Sequence, residues 1–324
     1  MSPGPVVSRG LPGTTGGVAR TVPFLALLAL LAPVLTGCAL SPPPGGEGTA
    51  AYSSRVVRVV AAEDVWGSIV GQIGGDHALV VSLISNPETD PHSYEPTAVD
   101  ARELADAQVA VVNGAGYDPW MDRLLAADGG SRTVLDVGDL VGVGPGGNPH
   151  LWYSPEYVDR VITTVTADLS RADPVDRAYF ADRARHYERV DLSGYHAAID
   201  RIRADFAGAP VGASESVVVY LCRALGLRLV TPATFLRAVS EGTDVAAADT
   251  ATIAAQIRDR RIDVYLENTQ NLTPDVQTQV DGARAQGIPL VRVTETLQPA
   301  GTTFQAWQTG QLHALDDALE ASRG

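Results

Sequence analysis

The chain contains no lysine: all 24 basic residues in its 324 positions are arginine, set against 38 acidic side chains for a formal charge of −14. That absence excludes Schiff-base chemistry, a P-loop lysine and a kinase-type phosphate lysine. The acidic excess argues against nucleic acid, where a basic face is the expected footprint. Cysteine is nearly absent too, and Cys38 and Cys222 alone cannot build a disulfide scaffold or a four-cysteine zinc site. No apolar run is long and clean enough for a comfortable membrane span. The longest, residues 21–36, is interrupted by Pro33 and falls short of about 20 residues. At roughly 150 residues per domain, the length suggests about two domains, and the 45% hydrophobic content suffices for real cores.

What is present at the N-terminus reads as an address. Arg9 and Arg20 with no acid, the apolar run, and then Leu35-Thr36-Gly37-Cys38 have the pattern of a secretory signal. The last four residues resemble the bacterial lipobox, which implies a signal peptide over 1–37 and acylation of Cys38. The Pro/Gly/Ser-rich stretch that follows, 38–54, cannot build a core and is expected to be a flexible tether.

Beyond the tether, short apolar runs alternate with helical segments, the signature of βαβ units and a mostly parallel sheet. Expected strands are Val56–Ala61, Leu79–Ile84, Val109–Val112 and Thr133–Val137, with helices over Thr97–Ala107 and Ser154–Ser170. Asp173-Pro174 has the chemistry of a helix start and opens a long polar stretch to about Phe206, in which Gly194 is expected to introduce a kink. A second alternation contains strands near Pro210–Ala213, Leu229, Ile262–Leu266 and Ile288–Val293. The expected fold is therefore α/β, with two lobes that each carry a mostly parallel sheet flanked by helices. They occupy 55–172 and 208–324, and one long helix over 173–207 joins them.

Of six histidines, His186, His196 and His313 lie in polar helices and His77 in an ordinary turn. His92 and His150 differ, because each follows a proline in a turn after a predicted strand, in DPHSYEP and NPHLW. That is the edge where α/β binding sites form. Composition alone does not separate them from incidental loop histidines.

Longer stretches narrow the reading. The segment NPETDPHSYEPTAVDARELADAQVAVVNGAGYDPWMDRLL resembles the first metal-ligand segment of bacterial cluster A-I solute-binding proteins, the zinc- and manganese-capturing lipoproteins of ABC importers. NPHLWYSPE is similar to their second ligand segment and GASESVVVYLCRALGLRLVTP to their third. EGTDVAAADTATIAAQI, ENTQNLTPDV, GIPLVRVTETL and TTFQAWQ follow the C-terminal pattern. The resemblance runs in order from about residue 55 to the end of the chain. It implies metal ligands at His92, His150 and Glu215. Ser214 is placed to cap the helix that follows. The family's fourth ligand, an aspartate, has no counterpart in the loop Asn268–Leu272, which leaves Glu267, Asn271 or water to complete the shell. Asp90 and Glu95 are near enough in sequence to orient an imidazole.

The resemblance further implies a protein that is not an enzyme and that carries Zn²⁺ or Mn²⁺ as its transported ligand. The partners it implies are an ABC permease with its ATPase, the membrane through the lipid on Cys38, and no nucleic acid; the carrier itself is expected to be a monomer on the extracytoplasmic face. The glycine-rich interval 141–148 has no histidine and Glu215 is an oxygen ligand, which lean toward manganese; the missing aspartate leans back. Two rivals are a surface adhesin-like lipoprotein with a degenerate site and a secreted zinc hydrolase. No HExxH motif supports the second.

Overall fold

The computed structural model describes residues 56–87, 89 and 94–324. The expected signal peptide, the tether, Cys38 and His92 lie outside them. Among the described residues, no helix is long and apolar enough to cross a membrane.

The first lobe is built on β1 (Val57–Glu63), β2 (Ala78–Ile84), β3 (Val109–Val112) and β4 (Thr133–Asp136). They form an all-parallel sheet in the order β2-β1-β3-β4. The central strands β1 and β3 are almost wholly buried apolar runs, as a sheet covered on both faces requires. Helix α1 (Asp64–Gly74) covers one face, and α2 (Ala98–Asp106) and α3 (Pro119–Asp128) cover the other. Thr97 and Asp100 form a reciprocal capping box that starts α2. A short α4 (Val137–Val141) and the amphipathic α5 (Pro155–Ala172) complete the lobe.

The second lobe repeats the plan. Strands β5 (Pro210–Ala213), β6 (Arg228–Leu229), β7 (Val264–Asn268) and β8 (Leu290–Val293) pair in parallel in the order β6-β5-β7-β8. Helices α8 (Val219–Leu225), α9 (Ala233–Ser240), α10 (Ala247–Arg258), α11 (Pro274–Ala285) and α12 (Phe304–Ser322) flank it. The two-lobed parallel α/β architecture is as the sequence implies. The shared strand order is a relation the sequence does not display as a repeat.

The connection between the lobes differs in detail from expectation. Asp173 closes α5, and its carboxylate accepts the amide of Val175 instead of opening a helix. Helix α6 (Arg177–His186) starts only after Asp176. The path then passes through a π-helical turn, Tyr187–Asp191, before α7 (Ser193–Phe206). The irregularity thus precedes Gly194, and an added side-chain carbon there meets only Thr309, at 3.7 Å. The main apolar core does not stop at the lobe boundary. It runs from Val59, Trp66 and Ile69 through Trp152, Val161, Tyr195 and Ile202 to Val211, Leu266, Phe304 and Leu315. A core shared in this way ties the lobes together through α5, α7 and α12.

Candidate metal centre

In both lobes the strands point their C-terminal ends at the same region, and the polar groups there are buried. On the first lobe, β3 ends at Val112 and the chain turns sharply. The Asp118 carboxylate accepts the amides of Asn113 and Gly114, both at 2.8 Å. Gly114, Ala115 and Gly116 all take positive φ, at 66°, 53° and 82°. A left-handed run of this kind favours glycine, and two of the three are glycine. The turn carries Tyr117 into the interior, where its hydroxyl donates to Glu295 Oε2 at 2.9 Å.

His150 follows the turn Gly146-Gly147-Asn148-Pro149 and is 1% exposed. The Asn113 amide donates to the Pro149 carbonyl at 2.9 Å and fixes that backbone. Asn148 Oδ1 accepts the His150 backbone amide at 3.1 Å and lies 2.8 Å from ring Nδ1. A carboxamide oxygen can only accept, so Nδ1 carries the proton and the lone pair of the neutral ring sits on Nε2. Nε2 is buried without a hydrogen-bond partner and stands 3.5 Å from Glu295 Oε2. An imidazole oriented through one nitrogen, with the other bare and buried, has the arrangement of a metal ligand.

The second lobe supplies carboxylates. After β5, Ser214 N–H donates to the Leu266 carbonyl at 2.9 Å, and Ser214 Oγ accepts the Asn268 amide at 2.9 Å. Ser214 therefore staples β5 to β7 and does not cap the next helix. Glu215 occupies the capping position of a 3-10 turn, Ser216–Val218, in extended backbone, with its side chain turned to the site. Glu215 Oε1 accepts from the Asn268 amide and Oε2 from the Asn271 amide, the latter at 2.7 Å. Burial pushes the Glu215 carboxyl up to about 7. The Glu295 charge adds to the rise, while His150 and the two amides oppose it.

Glu295 lies just beyond β8. The same Asn268 Nδ2 donates to its Oε1 at 2.7 Å. His150, Glu215 and Glu295 are all buried, and each offers a ligand atom within 4.8 Å of the others. One nitrogen and two carboxylates in a dry pocket suit Zn²⁺ or Mn²⁺. Two carboxylates also neutralise a divalent charge, and the donors identified around them are neutral amides, a phenol and an imidazole.

Of the residues marked in the sequence, the structure brings His150 and Glu215 together, while His92 lies outside the described residues. Glu267 does not join them. Strand β7 extends to Asn268, and successive side chains alternate between faces, so Asn268 turns to the cluster and Glu267 away from it. Glu267 lines a separate cavity with Arg292, Thr269 and Trp307. Asn271 props Glu215 through its amide nitrogen. Glu95 is exposed, and the group that orients His150 is Asn148. Sequence reasoning passed over Glu295, Tyr117 and Asn268. The signal for Glu295 was an acid two residues past a strand, in VRVTETL, the same place relative to β8 that Glu215 has relative to β5.

Comparison with known proteins identifies relatives of the chain and solved structures of the same fold. The chain is 25% identical over 174 residues to the manganese-binding lipoprotein MntA of Halalkalibacterium halodurans, covering 52% of the chain and 55% of that relative. It is 24% identical over 279 residues to the zinc-binding lipoprotein AdcA of Streptococcus pneumoniae, covering 77% of the chain and 53% of the relative. The chain thus spans about half the length of these curated relatives. Among solved structures, the manganese-bound periplasmic metal binding protein of candidatus liberibacter asiaticus superposes with a TM-score of 0.68 at 19% identity, over 81% of this chain and 99% of that one. The periplasmic zinc binding protein TroA of Treponema pallidum gives 0.67 at 21% identity with the same coverage. The profile of one family, described as zinc-uptake complex component A periplasmic, matches residues 59–318, and it is to this family that the chain belongs.

Proposed function

We propose that this protein is an extracytoplasmic solute-binding protein that captures one divalent transition-metal ion, Zn²⁺ or Mn²⁺, between its lobes and hands it to an ABC permease powered by its ATPase. The observation that carries this reading is the buried meeting of His150 Nε2 with Glu215 and Glu295. His92, two residues before Tyr94 in the sequence, supplies the second imidazole of the ligand set in this reading. Two nitrogens and two carboxylates make a four-coordinate zinc site, or a manganese site when the carboxylates bind through both oxygens. The acidic surface, at a net −14, draws cations toward the cleft.

Residues 1–37 act as the signal peptide, the Cys38 lipid holds the chain at the membrane, and 38–54 is the tether between anchor and lobes. The AdcA and MntA relatives are named as lipoproteins, which supports this placement. In this reading both carboxylates hold the cargo, and the protein is a monomeric carrier, not an enzyme. Titration of the lipid-free protein with Zn²⁺ and Mn²⁺ by calorimetry tests the proposal. One equivalent bound with sub-micromolar affinity is expected, and no binding of either ion would sink it.

A further inference from the structure

Gln270 sits three residues beyond Glu267, in the turn that leaves β7, and its one carboxamide is shared between lobes. On the second lobe, Gln270 Oε1 accepts the backbone amides of Glu295 at 2.5 Å and Thr296 at 3.2 Å. Its Nε2 donates to Thr296 Oγ1 at 2.9 Å and also to the Pro87 carbonyl of the first lobe, at 2.6 Å. Pro87 lies just past the end of β2. The Gln270 backbone amide is itself held, at 3.1 Å, by Asn268 Oδ1, whose other end bridges Glu215 and Glu295. The backbone that carries one acid of the cluster is therefore fastened to the opposite lobe by a side chain that is not a ligand.

From this connection we infer that Gln270 is a positioning residue that sets the lifetime of the bound cation by coupling lobe separation to displacement of Glu295. The inference rests on the carrier reading. Separating the lobes at this edge must break the Nε2 bond to Pro87 or drag Gln270 with it. Gln270 grips the backbone amides of Glu295 and Thr296, so the second course moves a ligand. While the strut is intact, Glu295 stays in register with His150. When it is cut, the Glu295 segment is free to drift without any loss of ligand atoms. The effect belongs on release, because encounter with the cation does not depend on the strut.

Two variants separate the strut from simple packing. Gln270→Glu keeps the shape and the acceptor but removes the donor to Pro87. Gln270→Met keeps the approximate volume and removes both polar functions. Release would be followed by stopped-flow mixing of Zn²⁺- or Mn²⁺-loaded full-length protein with excess chelator, and association by mixing metal-free protein with each ion. Both variants are expected to release metal about tenfold faster, with association within about twofold of wild type, since such changes fall mainly on the off-rate. In the metal-free protein, hydrogen exchange at the Glu295 and Thr296 amides should quicken in Gln270→Met and stay close to wild type in Gln270→Glu. Release within twofold of wild type in both variants, with tight binding retained, overturns the inference and leaves the carrier reading standing. A wild-type protein that takes up neither ion overturns both.

Discussion

The two lobes share a strand order, yet they furnish opposite halves of the site. The first contributes an imidazole, His150, set among the edges of Tyr117 and Trp152 with ring centroids 6.0 and 5.5 Å away. The second contributes two acids, Glu215 and Glu295, that would repel each other without a donor between them. An asparagine manages each half. Asn148 presents its oxygen to the imidazole, and Asn268 presents its nitrogen to both carboxylates. The same side chain, used from opposite ends, orients a base and a pair of acids without adding charge. A lysine or arginine at Asn268 would hold the acids more strongly and would leave the pair one charge short of balancing a divalent cation. The comparison teaches that the lobes are specialised by their loops, on sheets that are topologically alike.

Removing the charge of the second lobe tests that division most severely. The double variant Glu215→Gln and Glu295→Gln keeps the shapes and deletes both anionic ligands. It should lose far more affinity than the ~10–100-fold that loss of a supporting group costs, for both Zn²⁺ and Mn²⁺ in competition titrations. Affinity within tenfold of wild type would mean the acids are not ligands.

The supporting amide comes next in size. Asn268→Leu deletes the donor that bridges the acids, and an affinity loss of about 10–100-fold is expected. Asn148→Ala frees the imidazole of the first lobe and should fall in the same range or below it. A loss confined to one of the two variants would show that only that lobe depends on its asparagine.

The smallest effect is that of pH, which stabilises the metal-free fold and weakens metal binding as it falls. The folded Glu215 carboxyl titrates near 7, above its ordinary value of 4.5. Burial likewise lifts Asp64 and Asp118 from 3.8 to about 6. Between the ordinary and raised values the folded chain holds more protons than the unfolded one, so the slope of stability with pH is negative. Metal-free protein should therefore gain thermal stability from these groups as pH falls from 7 toward 4.5. Metal needs the carboxylate, so affinity should weaken over the same range, approaching tenfold per pH unit below 7. Metal-free melts should rise between pH 7.5 and 5.5, and the gap between melts with and without metal should narrow over the same interval.

Much of the fold was legible because its signals are local. Val109–Val112 is bounded as expected, and Pro210–Ala213 likewise, since short apolar runs between turn residues leave few alternatives. The connection at Asp173 was misread because aspartate followed by proline serves equally well as a helix start and as a turn. In the site, the Pro-framed turn of His150 and the strand-end position of Glu215 were visible. The fourth position depended on parity. Strand β7 runs two residues beyond the expected Leu266, and an alternating side-chain direction then decides that Asn268, not Glu267, faces the cluster. Glu295 depended on distance in sequence. Its burial is completed by Tyr117, 178 residues away, and its place two residues past β8 is the one local sign that sets it apart from a solvated acid.

The central claim, that the second lobe completes the site from the end of β8 and not from β7, is tested most directly by titrating two single variants side by side with Zn²⁺ and Mn²⁺. Glu295→Ala should lose most of the affinity, while Glu267→Ala, altered in the cavity it lines with Arg292 and Trp307, should bind as wild type does. Retained binding in Glu295→Ala together with its loss in Glu267→Ala would contradict the account.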